Sequence, residues 1–99
     1  MAKFHLSNKA VEDLDAIWLY TLETWSESQA DIYYHDLVSA CQYIADHPAF
    51  LDMEYAEILP GLYRHRCRKH LIFYILTDDG VEIVRILHER MDIESKFND

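Results

Sequence analysis

Arg64, Arg66, Arg68 and Lys69 fall within six consecutive residues that contain no acid. His65 lies inside that run and His70 directly after it. On a strand, residues two apart share a face, so Arg64, Arg66 and Arg68 are expected to project together. Guanidinium forks grip phosphate or carboxylate through two parallel hydrogen bonds. The run therefore reads as a contact edge, with Arg64, Arg66, Arg68 and Lys69 as its first candidates. The plainer alternative is a solvated hairpin that balances acids elsewhere. Clustered cations against dispersed acids favour the edge.

The same stretch offers other chemistries. His65, Cys67 and His70 stand at His-x-Cys and Cys-x-x-His spacings, which zinc uses. The cations between them oppose a bound dication, and no second knuckle follows, so no metal is expected. Cys67 lies among cations that would lower its thiol pKa. No base-and-orienter pattern accompanies it, so no catalytic residue is assigned. Cys41 falls on an apolar stripe and reads as core. Two cysteines without an export signal read as reduced thiols, and no cofactor is expected.

A second set lies near the C-terminus. Arg85 sits inside an apolar strand, where it needs a carboxylate or a path to solvent. Glu57 and the acids of the first helix are its candidate partners. His88 is either a general acid–base group or a hydrogen-bonding strand-end residue. Arg85, His88 and Arg90 are the second-choice contact residues. Of the aromatics, Trp18, Trp25, Tyr33, Tyr34, Tyr43, Phe73 and Tyr74 read mostly as core. Tyr20, Tyr55 and Tyr63 are the candidates for a partner-facing surface.

The chain has 99 residues, nine Lys and Arg against eighteen Asp and Glu, and a net charge of −9. Residues 1–60 hold Lys3 and Lys9 against eleven acids, whereas residues 61–90 hold six cations and four acids. An acidic body with one basic edge argues against direct nucleic-acid binding and against anionic membrane. No apolar run reaches the roughly 18–20 residues of a membrane span, and the N-terminal residues lack the apolar stretch of a signal peptide. One domain over 1–99 is expected.

These residues need elements to position them. Phe4-His5-Leu6 alternates and predicts a short strand. Ser7 or Asn8 caps a helix over about 8–25, with Val11, Leu14, Trp18, Leu22 and Trp25 as its apolar stripe, broadened by Ile17 and Thr21. Glu12 and Asp13 fall near its start, where the dipole favours negative charge. Ser26 interrupts, and Ala30, Tyr33, Tyr34, Leu37, Ala40, Cys41 and Ile44 mark a second helix that stops near Asp46, before Pro48. Ala49-Phe50-Leu51 reads as a turn of helix, and Ile58-Leu59 as an anchor. Pro60-Gly61 is the main break. Leu62–Arg66 alternates weakly, with a turn near Cys67-Arg68-Lys69. Leu71–Leu76 is a continuous apolar run, as in a strand buried on both faces. Asp78-Asp79-Gly80 turns into the β-branched strand Val81–His88. The fold class is α+β, in the order β-α-α-β-β-β: a helical hairpin packed on a small, mostly antiparallel sheet.

Taken in order, these residues resemble a known family. Leu6-Ser7, Ala10, Asp13-Leu14, Ile17, Tyr20 and Trp25 are similar to toxins of the RelE/ParE superfamily. Gln29-Ala30, Tyr33 and Leu37 continue the likeness. Pro60-Gly61-Leu62, His70–Tyr74 and Arg85–Asp92 resemble the ParE branch closely. The resemblance implies a cytoplasmic bacterial toxin of a plasmid-stabilising type II toxin–antitoxin module. Such a toxin binds DNA gyrase without chemistry of its own and is neutralised by a ParD-type antitoxin. The competing RelE branch would imply a ribosome-dependent mRNA endonuclease, for which Arg64, Arg66, Arg85 and His88 could imitate the site. A non-toxic binding module of the same fold is the third reading. The sequence departs from the ParE pattern at Tyr63, where an Arg is usual, and at Arg68, where a Gly is usual.

Overall fold

The computed structural model describes residues 2–98. Strand β1 (Lys3–Leu6) leads into helices α1 (Asn8–Thr24) and α2 (Glu27–Asp46). Strands β2 (Met53–Glu54), β3 (Leu62–Cys67), β4 (His70–Thr77) and β5 (Gly80–His88) follow, and the short helix α3 (Ile93–Phe97) comes last. The five strands form one sheet in the order β1-β5-β4-β3-β2. Only β1 and β5 run parallel; the other pairs are antiparallel.

Caps explain where the helices begin. Ser7 and Ser26 each accept a hydrogen bond from the backbone three residues on, Ala10 and Gln29, at 3.0 and 3.1 Å. The Ser7 hydroxyl also donates to the Val84 carbonyl at 2.7 Å. Val84 is the extra residue of a β-bulge, since Phe73 pairs with Arg85 while Tyr74 pairs with Ile83. The bulge lets both Ile83 and Ile86 face the helices, while Val84 and Leu87 face the other way.

Two apolar clusters follow. Ala10 and Leu14 of α1, and Leu37, Cys41, Ile44 and Ala45 of α2, pack on Ile72, Tyr74, Val81, Ile83 and Ile86. On the opposite face, Leu62, Leu71, Phe73 and Leu87 are covered by Tyr55, Ile58, Ile93 and Phe97. Leu71–Tyr74 is therefore buried from both sides, as its unbroken apolar sequence predicts.

Several sequence expectations need correction. The buried stripe of α1 is Ala10, Leu14 and Thr21: Leu14 and Thr21 fall as expected, whereas Ala10 takes the place expected of Val11. Val11 and Trp25 are exposed, Trp25 at 75%, and so are Tyr34 and Tyr43. The small residues let the helix approach the sheet, and the larger ones flank it. Asp13 lies beyond the first turn of α1 and pairs with Arg85 instead of serving the dipole. Ala49–Leu51 is not a helical turn: Ala49 and Leu51 have φ of 61°, and β2 follows. That segment is pinned by Tyr74, whose hydroxyl accepts from Ala49 N–H at 3.0 Å and donates to Asp52. Asp52 also meets His65 at 3.0 Å. Ile58 packs as the expected anchor, whereas Leu59 is exposed. Neither β2 nor α3 has a sequence signal long enough to predict it.

Candidate functional site

The basic run forms a hairpin, and its residues part company there. Arg64 pairs with Phe73 and Arg66 with Leu71, so both lie on the sheet face away from the helices. Arg64 Nη1 donates to the Tyr55 hydroxyl at 2.8 Å, and its guanidinium lies 5.2 Å from that ring's centroid. Arg66 binds Glu89 at 2.7 Å and donates from Nε to the Arg68 carbonyl at 3.1 Å. Its side chain remains 62% exposed, so the pair fixes the guanidinium without hiding it.

Arg68 and Lys69 make the two-residue turn between Cys67 and His70. Arg68 has φ of 56°, a left-handed value for which glycine is the ordinary choice. The turn carries Arg68 back toward the helices, where it pairs with Asp36 and lies 5.3 Å from the Tyr33 ring centroid. The sequence departure at Arg68 is thus accommodated, with partners that glycine could not engage. Lys69 and Arg90 are exposed. Glu89 N–H donates to the Lys69 carbonyl at 2.9 Å, which joins the turn to the segment holding Arg90. Arg66, Arg68, Lys69 and Arg90 therefore occupy one end of the sheet, split between its two faces, while Arg64 lies mid-sheet opposite Phe73.

Behind this end lies a polar cluster that the sequence did not reveal. His70 is buried, and its Nδ1 accepts from the Tyr33 hydroxyl at 2.6 Å. That hydroxyl in turn accepts from Lys69 N–H at 3.3 Å. The His88 ring sits edge-on to His70 at 5.2 Å, and His88 Nδ1 accepts from Arg90 N–H at 3.1 Å. Burial, reinforced by His88, lowers the His70 pKa to about 4. His70 is neutral when folded and protonates more readily when unfolded. Its contribution to stability is therefore complete above pH 6.5 and is lost as pH falls from 6.5 toward 4. The expected loss is about 3 kcal/mol at most, since one pKa step is worth about 1.4 kcal/mol. Urea unfolding across this range should show the slope, and His70→Gln should flatten it; an unchanged slope would assign the loss to other groups.

The remaining candidates have mainly internal contacts. Arg85 is held by Asp13: Nε to Oδ2 at 2.8 Å and Nη2 to Oδ1 at 3.0 Å. Its Nη1 donates to the Lys96 carbonyl at 3.0 Å. The partner comes from the first helix, not from Glu57. Tyr55 supports Arg64, and Tyr63 packs on the main core, stacked on Tyr74 at 5.8 Å. Tyr20 is 67% exposed on α1.

Neither cysteine matches a reactive profile. Burial raises the Cys67 pKa and Asp36 adds to the rise, although Arg68 opposes it. The expected lowering by neighbouring cations is thus overturned, because Cys67 faces the core and donates toward the Asp36 carbonyl. Burial pushes Cys41 up to about 12. Among the described residues, no three His, Cys, Asp or Glu side chains are grouped so as to hold a metal ion.

The fold recurs in known proteins. The family described as the ParE toxin of the type II toxin–antitoxin system, parDE, matches residues 4–93. The chain belongs to the ParE toxin family. It is 37% identical to Toxin ParE1 of Caulobacter vibrioides, over 93% of this chain and 94% of that protein. It is 33% identical to Toxin ParE1 of Mycobacterium tuberculosis, over 94% and 95%. Among solved structures it resembles the chromosomal ParDE system from P. aeruginosa, with a TM-score of 0.72 and 20% identity over 89% of this chain and 96% of that one. The YoeB-YefM complex from Staphylococcus aureus matches at a TM-score of 0.57 and 16% identity, over 89% and 97%. The ParE fold is thus built here from a helical hairpin on a five-stranded mixed sheet. Among the described residues, no helix is long and apolar enough to cross a membrane.

Proposed function

We propose that this ParE-family toxin acts by binding DNA gyrase in the cytoplasm, without chemistry of its own, and that a ParD-type antitoxin neutralises it. The family match across residues 4–93 carries the reading. The geometry is consistent with binding. Arg66 and Arg68 are held in place by carboxylates yet remain 62% and 49% exposed, which lowers the entropy lost when a partner engages them. Ribosome-dependent mRNA cleavage has less support. Arg85 is committed to Asp13, and His88 Nδ1 already accepts from Arg90 N–H. The acidic helical half would also repel ribosomal RNA. For the antitoxin, exposed Tyr20 remains the best of the three aromatic candidates, because Tyr55 and Tyr63 have internal partners.

Purified protein should arrest gyrase supercoiling and accumulate cleaved DNA. Reversing Arg64, Arg66 and Arg68 to Glu should weaken that inhibition at least tenfold. Circular dichroism should first establish that the triple variant is folded, since Arg68 pairs with Asp36. Normal supercoiling at a large excess of toxin would sink the gyrase assignment. Full inhibition by the folded variant would instead remove only the basic edge.

A further inference from the structure

We propose that His70 and His88 form an acid-operated latch at the basic end of the sheet, which protonation opens while the rest of the fold stays closed. His70 of β4 and His88 of β5 stand opposite each other in the antiparallel ladder, with ring centroids 5.2 Å apart. Each ring commits its Nδ1 lone pair to a bond that holds this end together. His88 Nδ1 accepts from Arg90 N–H at 3.1 Å. His70 Nδ1 lies 2.6 Å from the Tyr33 hydroxyl. That oxygen already accepts from Lys69 N–H, so its own proton points to His70. Both imidazoles are therefore neutral with the proton on Nε2, and the one atom that each can protonate is occupied by a bond.

Protonation breaks these bonds. A proton on His88 Nδ1 meets the Arg90 N–H, donor against donor. A proton on His70 Nδ1 forces the Tyr33 hydroxyl to turn away. A charge on buried His70 is also poorly hydrated, and a charge on either ring opposes one on the other. The surrounding groups do not offset this. Helix α2 presents Tyr33 and Asp36, and Asp36 is paired with Arg68. Helix α1 contributes Asp13, paired with Arg85. Strand β3 brings Cys67 opposite His70. Arg68 and Lys69 of the turn and Arg90 after β5 are cations, and Glu89 is bound to Arg66. Asp13 and Glu89 favour a charged His70, yet burial outweighs them. His70 regains its ordinary affinity for protons once the end opens, so opening gains ground as pH falls below 6.5. Loss of the Tyr33 bond frees the turn that carries Arg68 and Lys69. Loss of the His88 bond frees the segment of Glu89 and Arg90, and with it the partner of Arg66. The arginines are thus held for a partner at neutral pH and loosened in acid. This local opening is distinct from global unfolding and does not depend on the gyrase reading.

Amide exchange and imidazole nitrogen shifts, measured by NMR on the full chain, test the latch. At pH 7 both rings should carry their proton on Nε2; a proton on Nδ1 of either would overturn the proposal. Between pH 7 and pH 5, the protection factors of the Lys69, Glu89 and Arg90 amides, corrected for intrinsic exchange, should fall by about tenfold or more. Those of Ile72 and Ile83 in the main core should change by less than about twofold. A parallel loss in both sets would assign the response to global unfolding and overturn the latch, as would full protection of the basic end at pH 5. The double variant His70→Asn with His88→Asn places an amide oxygen near each Nδ1 position and cannot be protonated. It should keep the end protected at pH 7 and abolish the fall; an unchanged fall in the folded variant would overturn the proposal. If the double variant does not fold, His88→Asn alone serves: Arg90 protection should lose most of its acid response while Lys69 keeps its own. An undiminished response at Arg90 would again overturn the latch.

Discussion

Replacing Arg85 with Met is expected to destabilise the protein by about 3–5 kcal/mol, the range for breaking a buried ion pair on one side. Both side chains of the pair are only 13% exposed. Asp13 also accepts from Ile86 N–H at 2.9 Å. This second role has a topological cause. Strand β1 pairs with β5 only as far as Leu6 opposite Ile83, so the β5 backbone beyond the bulge has no strand beside it on that side. Asp13, projecting from α1, supplies the missing acceptor. Arg85 then neutralises Asp13 and reaches the Lys96 carbonyl of α3. An apolar side chain in place of Arg85 would leave the carboxylate partly buried without its guanidinium, and would release α3 as well. Urea unfolding at pH 7 measures the loss. The double variant Asp13→Leu with Arg85→Met should recover part of it, since apolar replacement of a whole buried pair is often near neutral. A loss under about 1 kcal/mol for Arg85→Met would mean that the pair is solvated and dispensable.

Gly80→Ala is the second large effect, at about 3 kcal/mol, the upper range for overpacking a site that cannot relax. A Cβ on Gly80 would stand 1.8 Å from the Lys3 carbonyl oxygen and 2.9 Å from its nitrogen. These are backbone atoms of the neighbouring strand, so no side chain can move aside. Lys3 pairs with Gly80 at the start of the parallel ladder, and the added methyl must push β1 off β5. The main core would then lose support from Phe4 and Leu6, which pack against it. For a domain of this size, about 3 kcal/mol corresponds to a fall in Tm of about 12–20 °C. Amide exchange in residues 3–6 should accelerate more than in β4. Gly61→Ala provides the contrast. Gly61 has φ of 82° and nothing within 4 Å of its Cβ position, so only backbone strain opposes the substitution. That strain is worth about 1–2 kcal/mol. Equal losses at the two sites would contradict the close-approach argument.

Charge and fold together give the molecule two distinct surfaces. The helical hairpin faces solvent with acids and aromatic rings, among them Trp25 and Tyr20. The distal sheet end presents arginines held by carboxylates, with exposed Lys69 and Arg90 beside them. An antitoxin and a target need not compete for the same chemistry on such a molecule. Neutralisation could then act by covering the basic end or by binding elsewhere; charge reversal at Arg64, Arg66 and Arg68 separates the two if antitoxin affinity is measured alongside gyrase inhibition.

The order of the longer elements was legible in the sequence, because their signals are local and strong, whereas β2 and α3 were not. Ser7 and Ser26 mark helix starts, and Pro48 follows the end of α2. The apolar run from Leu71 pointed to a central strand, buried from Leu71 to Tyr74 though exposed at Leu76, and Asp78-Asp79-Gly80 marked a turn. The departure at Arg68 was visible only through the family resemblance, and its left-handed φ was not legible in the sequence. The basic edge was legible as a cluster, because neighbours in sequence stay neighbours on a hairpin.

Which charged and aromatic groups find each other depends instead on the packed fold. Arg85 and Asp13 lie 72 residues apart, and nothing in the spacing selects Asp13 over the other acids. Tyr33 meets His70 across 37 residues. The buried stripe of α1 depends on how closely that helix approaches the sheet, a distance set by Ala10 and by the sheet rather than by helical periodicity. The split of the basic run between two faces follows from one φ angle at Arg68, which turns the chain before Lys69. Local pattern fixes backbone elements because their hydrogen bonds and packing periods repeat over short spans. Pairing between elements depends on register, a bulge at Val84 and the angle of approach, and these are settled only when the whole core is packed.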